Sequence, residues 1–400
     1  MSTPDGRLFD TSLDVELAAA IERIRAWGEA RDWRGYDPYD ALNSPLAPFL
    51  TLGRPLGRRL LTQAVKLSPL NLRPLLLVQP EWNAKALALV ASGYLRLAMH
   101  PGEDSARAHA SRWLNWLVDH PAPGSTPAAW GYHFDVQTRF FGYAPGTPNT
   151  IATTFVAQAL VEGYELLGDE RWAGAARAAG DFLLETMLVR EGGRTYFRYL
   201  PGERELVHNA NLLACAALVR TARATGEESV LEPVGAALAT SLAAQQEDGS
   251  WPYAEAPGQR WVDNFHTGYV LESLAHCAAS FPEVVGPLQQ GIAYWENGLF
   301  LADGTPKYFP DRVHPLDAHS YATAIDTWLA LIDHHPRALD RAARVATLLV
   351  ERMLDPSGYV HFQQRRLWTN KVPFVRWTTA PTFRALAGLL LARRRAFRGP

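Results

Sequence analysis

The sequence predicts an all-α fold, an (α/α)6 toroid in which six helical hairpins close into a ring with short β-like loops at its mouth. Apolar residues recur with helical spacing in about twelve segments. Alternate segments start roughly 54 to 67 residues apart, the self-similarity of a repeat architecture. One alternating set is apolar on nearly every side and the other is amphipathic. We therefore predict one toroid domain over residues 1–400.

The predicted helices divide into an inner and an outer set. An inner helix such as 207–225 is apolar all round because neighbouring helices enclose it. An outer helix such as 170–189 carries Arg171, Arg177 and Asp181 on an exposed face. The inner set is 83–99, 150–167, 207–225, 264–280, 318–335 and 377–394. The outer set is 13–29, 104–119, 170–189, 228–246, 284–298 and 337–354.

A turn followed by alternating aromatic residues precedes most of the inner helices. The clearest copy is DGSWPY at 248–253, where an Asp-Gly turn signal leads into Trp251 and Tyr253. Further copies lie at 192–197, 303–309 and 355–362. Residues 30–80 lack this pattern, and we expect them to form an irregular, loop-rich segment that covers the mouth.

Composition and charge limit the class of function. The chain is 48% hydrophobic and 20% charged, as in an ordinary globular protein. With 39 Lys+Arg against 41 Asp+Glu, the net charge of −2 gives no electrostatic case for binding nucleic acid or an anionic membrane. No secretory signal is visible and no apolar run reaches roughly 18 residues, so we expect a cytoplasmic protein without membrane insertion. Two cysteines imply no disulfide framework. We expect no metal or other cofactor.

The predicted topology gathers the functional groups at one end of the ring. All six inner helices run the same way, so their N-termini meet at one mouth and favour anionic or hydroxyl-rich ligands. The loops there supply carboxylates, amides, histidines and aromatic rings, and such rings stack on the apolar faces of sugars. We therefore predict an oligo- or polysaccharide site. The candidate binding residues are Tyr36, Asp37, Trp130, Tyr132, Arg139, Asn209, Trp251, Tyr253, Asn264, Tyr321, Lys371, Arg376 and Trp377.

Five residues are candidates for general acid–base catalysis, namely Asp135, Asp263, His266, Asp317 and His319. Asp263 and Asp317 stand at predicted helix starts, where plain N-capping is the alternative role. His266 and His319 follow in the first turn of the same helices, so each histidine is expected close to its aspartate. Asp135 lies among aromatic residues in WGYHFDVQTR. This pattern is equally compatible with a catalytic role and with a structural role that holds the loop together.

Several segments resemble a family of prokaryotic α-toroid proteins found with polysaccharide-biosynthesis genes. The segments that carry this resemblance are RGYDPYDALNS, WGYHFDVQTR, GTPNTIATTFVAQAL, NANLLACAAL, DGSWPYAE, WVDNFHTGYVLESL and LWTNKVPFVRWTTAPTFRAL. More distantly the chain resembles six-hairpin glycosidases, uronyl hydrolases and glucuronyl C5-epimerases. The resemblance implies the toroid, a role in surface or exopolysaccharide metabolism and possible partners in a synthesis complex. It assigns no catalytic residue.

Three functions are compatible with the sequence. The first is a carbohydrate-active enzyme, either a glycoside hydrolase with two facing carboxylates or an epimerase or lyase that takes a proton beside a uronate. In an epimerase or lyase, Arg376 and Lys371 would neutralise the uronate carboxylate, although both residues suit a structural role equally well. The second function is non-catalytic glycan binding in a synthesis complex. The third is an isoprenoid cyclase-like enzyme, because DGSW resembles the repeated aromatic motif of squalene-hopene cyclases, but their Asp-x-Asp-Asp acid motif is absent.

Overall fold

The computed structural model describes residues 11–100 and 102–398. Helices dominate this part of the chain, which confirms the all-α prediction. In chain order they are α1 (Thr11–Glu29), α2 (Ala47–Thr51), α3 (Pro55–Leu67), α4 (Ala84–Ala98), α5 (Asp104–Asp119), α6 (Thr150–Leu167), α7 (Glu170–Phe182), α8 (His208–Thr225), α9 (Leu231–Leu242), α10 (Asn264–Cys277), α11 (Val285–Gly298), α12 (Ala318–Ala330), α13 (Ala338–Met353) and α14 (Ala380–Arg398). Two π-helical turns, Leu183–Met187 and Val375–Thr379, end α7 and precede α14.

The six predicted inner helices form a closed ring. Along the chain α4, α6, α8, α10, α12 and α14 each pack against the next, and α14 packs against α4. The outer helices α5, α7, α9, α11 and α13 each pack on the inner helix that precedes them, while α1 packs on α14. The first helix of the chain therefore completes the sixth hairpin, and the (α/α)6 prediction is confirmed.

Side-chain caps fix where several inner helices begin. Asn83, Asn149 and Asp263 each accept a hydrogen bond from the backbone N–H three residues further on. Asp317 caps α12 by accepting from the backbone N–H of His319 at 2.9 Å. Each such cap stabilises its helix by about 1 kcal/mol. The caps also hold polar side chains at the end of the ring where the inner helices start.

Short strands lie in several of the links from an outer helix to the next inner one, and of the four predicted turn-and-aromatic copies the one at 192–197 contains a strand. The antiparallel strands β1 (Val136–Gln137), β2 (Gly142–Tyr143), β3 (Leu188–Glu191) and β4 (Arg194–Phe197) form two hairpins. Strands β5 (Leu316–Asp317), β6 (Gln363–Gln364) and β7 (Thr369–Asn370) form a small sheet in that order. The turns at Asp248, Asp303 and Asp355 repeat one device, in which the carboxylate accepts the backbone N–H of the residue two positions on. Of the aromatic residues that follow these turns, Tyr253, Tyr308 and Phe309 line the cavity at the mouth.

Residues 30–80, for which we predicted no helix, contain α2 and α3. Proline lies within the first two positions of both helices, where its missing N–H costs nothing. Arg58 of α3 pairs with Asp135 at 2.6 Å, so α3 is attached to the loop that holds β1. Within the described residues, no helix has both the length and the hydrophobicity needed to cross a membrane.

Candidate active site

A cavity of about 400 Å³ opens where the inner helices begin. Every inner helix contributes to its wall through its first turns or the residues just before them. These residues are Lys85 of α4, Ile151 of α6, Asn209 of α8, Phe265, His266 and Tyr269 of α10, His319 of α12, and Arg376 and Trp377 before α14. The common mouth predicted from the topology is therefore present as a single cavity.

Asp263 holds His266 in a defined orientation in the cavity wall. One carboxylate oxygen caps α10 by accepting the backbone N–H of His266 at 3.0 Å. The other lies 2.7 Å from His266 Nδ1 and also accepts Trp261 Nε1–H at 3.1 Å. Because a carboxylate accepts, Nδ1 carries the proton and donates it. The lone pair of Nε2 is then free to act as a base, as in other aspartate–histidine pairs.

His319, Tyr269 and Lys85 form a second polar chain on the cavity wall. His319 Nδ1 donates to the backbone oxygen of Trp377 at 2.8 Å, so its Nε2 accepts from the Tyr269 hydroxyl, also at 2.8 Å. Lys85 Nζ donates to the same hydroxyl at 3.4 Å. Burial, followed by the charge of Lys85, lowers the pKa of His319 well below its ordinary value. Its imidazole is therefore neutral at physiological pH, and its Nε2 serves as the hydrogen-bond acceptor for the tyrosine hydroxyl.

Lys85 is a buried amine with no carboxylate partner among the described residues. Its Nζ lies 4.0 Å from the centroid of the Phe155 ring. Burial, followed by the nearby Arg376 and Arg384 charges, lowers the pKa of Lys85 well below its ordinary value. An anionic ligand placed beside this amine would offset both effects and favour its protonated form.

Arg376 brings a paired positive charge to the cavity. Its guanidinium donates to both oxygens of buried Asp37, at 2.5 and 2.8 Å, and lies 4.6 Å from the centroid of the Tyr132 ring. Behind this pair, Arg73 donates to Asp40 and to the backbone oxygen of Asp37. Two arginines and two aspartates thus tie the 37–40 segment to the entrance of α14. Burial raises the pKa of Asp40 to about 6.

Aromatic rings line most of the remaining wall. Tyr253 stacks on Trp261 with ring centroids 4.5 Å apart, and Phe140 extends the stack at 5.8 Å from Trp261. Phe141 stacks on Tyr199 at 4.8 Å. Burial raises the pKa of the cavity tyrosines Tyr132, Tyr143 and Tyr199 well above the ordinary value, so their hydroxyls remain protonated. The wall therefore combines flat apolar faces with hydroxyl donors, the pattern that suits sugars.

Asn209 supplies an acceptor that no group in the described part of the chain uses. Its side-chain oxygen is buried and has no hydrogen-bond partner within the described part of the chain. Asn209 lines the cavity and is only 4% exposed. An unpartnered buried oxygen is costly, and a ligand hydroxyl would satisfy it.

The structure separates the predicted site residues into two groups. Those that line the cavity are Tyr132, Arg139, Asn209, Tyr253, Asp263, His266, His319, Arg376 and Trp377. Those that do not line it are Tyr36, Asp37, Trp130, Asp135, Trp251, Asn264, Asp317, Tyr321 and Lys371. Asp37 and Asp317 contact the lining residues from behind.

Three of the residues outside the cavity have clear structural partners. Asp135 pairs with Arg58. Asp317 is fully buried and accepts from Gln363 Nε2 at 2.6 Å and from Trp377 Nε1 at 3.0 Å, in addition to capping α12. Asn264 donates to the backbone oxygen of Leu299 and accepts from Trp295. Among the described lining residues, Asp263 is the only carboxylate.

Among the groups that carry the candidate chemistry, Lys85 and Tyr269 are the two that are not among the residues predicted from the sequence. Tyr269 fits the apolar pattern of α10, yet it follows His266 by three positions and so shares its helix face. Lys85 stands in the apolar run AKALALVAS, where burial of an amine costs free energy unless the amine has a hydrogen-bonding or charged partner. The spacing of Tyr269 and the apolar surroundings of Lys85 can both be read from the sequence. Neither feature shows which side chain on another helix the residue contacts.

Comparisons with solved structures support the fold, and the matching proteins include enzymes whose names describe chemistry on sugars. An unsaturated glucuronyl hydrolase specific for heparin matches with a TM-score of 0.63 and 11% identity, over 97% of this chain and 99% of that one. A GH76 α-mannanase from Bacteroides thetaiotaomicron matches at 0.62 and 11% identity, over 79% and 88% of the two chains. A cellobiose 2-epimerase from Bacillus thermoamylovorans matches at 0.61 and 11% identity, over 78% and 88%. No family model and no curated protein sequence matches the chain. Identities this low establish the shared fold alone.

Proposed function

We propose that this protein is a carbohydrate-active enzyme that transfers protons at a uronate residue of an oligo- or polysaccharide, by epimerisation or elimination. The observation that carries the proposal is the pair of proton-transfer groups on one face of α10. His266 has Nδ1 held by Asp263, and Tyr269 has its hydroxyl held by His319. Both side chains line the same aromatic cavity.

The two groups suit complementary steps. His266 Nε2 carries a lone pair and would remove the proton from the carbon beside the uronate carboxylate. The Tyr269 hydroxyl would return a proton to that carbon in epimerisation, or protonate the departing glycosidic oxygen in elimination. The Tyr269 proton, which His319 Nε2 accepts in the free site, would turn to the substrate, and Lys85, which donates to the same oxygen, would stabilise the charge that develops there when the proton leaves.

Lys85 supports a uronate rather than a neutral sugar. Taking a proton beside a carboxylate creates negative charge on that carboxylate, and a nearby cation stabilises it in a water-poor site. The Lys85 amine has no protein carboxylate within the described residues, whereas Arg376 is already paired with Asp37. Lys85 is therefore the better candidate for stabilising the negative charge on the uronate carboxylate. Arg376 would add a further positive charge at the cavity wall.

Hydrolysis by a carboxylate pair has less support. That mechanism needs two carboxyl groups on either side of the scissile bond. Asp263 is the only carboxylate among the described lining residues, and both its oxygens are engaged. Asp135 and Asp317, the other acids predicted from the sequence, lie outside the cavity wall.

The biological setting is a second part of the proposal. The resemblance of RGYDPYDALNS and WVDNFHTGYVLESL to toroid proteins of polysaccharide gene clusters supports a cytoplasmic role in surface or exopolysaccharide synthesis, with partners in a synthesis complex. Co-purification of the tagged chain with glycan-synthesis proteins from a cytoplasmic fraction would support this setting. Recovery of the chain only outside the cytoplasm would contradict it.

The proposed function is tested with a panel of uronate-containing oligosaccharides, by product analysis and by binding. His266→Gln should lower turnover by about 10²- to 10⁴-fold with little change in affinity, because it removes the base and keeps the ring-lined cavity. Asp263→Asn keeps the helix cap but should lower turnover and alter the pH profile, since the histidine tautomer is no longer fixed. Asp135→Asn, outside the cavity, is the matched control. Unchanged turnover in both His266→Gln and Asp263→Asn would refute the assignment, and binding without any product would favour a glycan-binding protein.

A further inference from the structure

Residues 46–77 expose an unusual number of large apolar side chains. Of the 18 large hydrophobic residues exposed in the described chain, ten lie in this stretch. Phe49 is 79% exposed, Leu52 74% and Leu75 76%. The other members are Leu46, Leu50, Leu56, Leu60, Leu67, Leu70 and Leu77. Single exposed leucines are ordinary, but a concentration of this kind marks an interaction surface.

The local fold keeps these side chains together. Leu56, Leu60 and Leu67 share one face of α3, while Thr62 and Val65 on the opposite face are buried. Helix α2, which carries Phe49 and Leu50, packs against α3. The Ser44 hydroxyl donates to the backbone oxygen of Leu76, which brings the end of the stretch back to its beginning.

A hairpin tip adds to the same area. Asn370 of β7 donates to the backbone oxygens of Lys66 and Ser68, so the β6–β7 hairpin is attached to the end of α3. The tip of this hairpin exposes Leu367, at 90%, and Trp368, at 36%. We call the exposed apolar side chains of 46–77 together with Leu367 and Trp368 the leucine-rich surface.

The chain segment that forms most of this surface carries charge of one sign. Residues 41–80 contain no aspartate or glutamate but five basic residues. Two of these, Arg58 and Arg73, pair with Asp135 and Asp40. The side chains of Arg54, Arg59 and Arg366 form no ion pair within the described residues. The balanced total charge of the chain therefore conceals a local excess of positive charge.

We propose that the leucine-rich surface docks onto an anionic lipid bilayer, with its apolar side chains among the acyl chains and its arginines at the headgroups. Leucine, phenylalanine and tryptophan beside unpaired arginines form the composition of a helix that lies in a membrane interface. A juxtaposed basic residue adds attraction to anionic lipid. A protein partner would have to supply both an extended apolar face and compensating acids, whereas an anionic bilayer supplies both at once.

The docking surface adjoins the candidate active site. Gln63 of α3 lines the cavity, and so does Tyr39, whose hydroxyl accepts from Lys66 of α3 at 2.6 Å. Docking would therefore bring the cavity mouth close to the bilayer. One consequence rests on the proposed function: the substrate class would be a saccharide attached to a membrane lipid.

The test is flotation of the full chain with vesicles of phosphatidylcholine alone or mixed with phosphatidylglycerol. The wild type should float with the mixed vesicles, and added salt should reduce the bound fraction. The variant Leu52→Ser/Leu56→Ser/Leu60→Ser should bind at least about tenfold more weakly, because it removes three apolar anchors. The variant Arg54→Gln/Arg59→Gln should lose about fivefold for each charge, on anionic vesicles only.

The matched control is Val15→Ser/Ile332→Ser, which removes exposed apolar groups outside the surface. It should bind like the wild type, and circular dichroism should show all variants folded. Absence of wild-type flotation, or equal binding by the leucine variant, would overturn the proposal. A concentration-dependent dimer that the leucine variant abolishes, without vesicle binding by the wild type, would assign the surface to a second copy of the chain instead. None of these readouts depends on catalysis. A negative result would therefore overturn the docking proposal and leave the proposed function untested by it.

Discussion

Asp263 illustrates how much a single residue reveals from sequence and where that information ends. Its position before the apolar pattern of α10 predicts an N-cap, and the cap is present. Asp317 has the same signature and also caps its helix. Yet only Asp263 lines the cavity, while Asp317 is fully buried behind Trp377. The sequence cannot separate the two because the difference lies in which neighbouring helices cover each cap.

His208 makes the stability of the fold dependent on acid. It is buried at the start of α8, near the Ser241 hydroxyl, and burial lowers its pKa to about 4 from 6.5. The unfolded chain binds a proton below about pH 6.5 and the folded chain does so only below about pH 4, so stability falls as the pH falls through this window. We predict that His208→Gln reduces this fall in the free energy of unfolding by about 3 kcal/mol. Urea unfolding at a series of pH values measures it, and an unchanged slope would show that His208 is not buried in its neutral form.

Lys85 offers a second test at the level of one side chain. Lys85→Met keeps an unbranched chain against Phe155 and removes the buried amine, so we expect stability to be unchanged or higher. Turnover on a uronate substrate should fall by about 10²-fold or more, because the developing negative charge loses its cation. Lys371→Met is the control, since Lys371 is exposed and lies outside the cavity. Equal turnover by Lys85→Met and the wild type would remove Lys85 from the site.

At the scale of elements, periodicity predicted the long helices but not the segment between α1 and α4. The inner helices were recognisable because burial on all sides leaves an uninterrupted apolar composition, as in α6 and α8. Helices α2 and α3 contain Pro, Gly and exposed leucines, so their pattern matches neither a buried helix nor an ordinary amphipathic one. The turn Val375–Thr379 was also not foreseeable, since π-helical geometry depends on packing rather than on residue type.

The turn before the last inner helix requires glycine. Gly358 has φ +99°, and a Cβ atom there would lie 2.1 Å from the backbone oxygen of Arg23 in α1. We predict that Gly358→Ala lowers the free energy of unfolding by about 3 kcal/mol or more, through backbone strain and this overlap. Gly174→Ala in α7 adds a Cβ that meets no other part of the described chain within 4 Å, and it should instead stabilise the helix by up to about 1 kcal/mol. Thermal unfolding of both variants measures the contrast, and similar changes in the two would contradict this view of the turn.

At the scale of the whole molecule, ring closure converts dispersed loops into one site. The cavity receives side chains from α4 at one end of the sequence and from the π-turn before α14 at the other, a separation of almost 300 residues between Lys85 and Arg376. The repeat spacing was sufficient to predict the ring and its mouth. Total charge was a poorer guide, because the net −2 of the chain averaged away the acid-free segment 41–80. A property summed over the molecule does not report how it is distributed on the surface.

The central claim is that His266 and Tyr269 move a proton at the carbon beside a uronate carboxylate. The most direct measurement is NMR of uronate oligosaccharides incubated with the enzyme in D₂O, following the hydrogen on that carbon. We predict that this hydrogen is replaced by deuterium in an epimerised product or lost with formation of a double bond, and that His266→Gln suppresses either outcome. Cleaved or unchanged sugars that retain the hydrogen in every product would contradict the account.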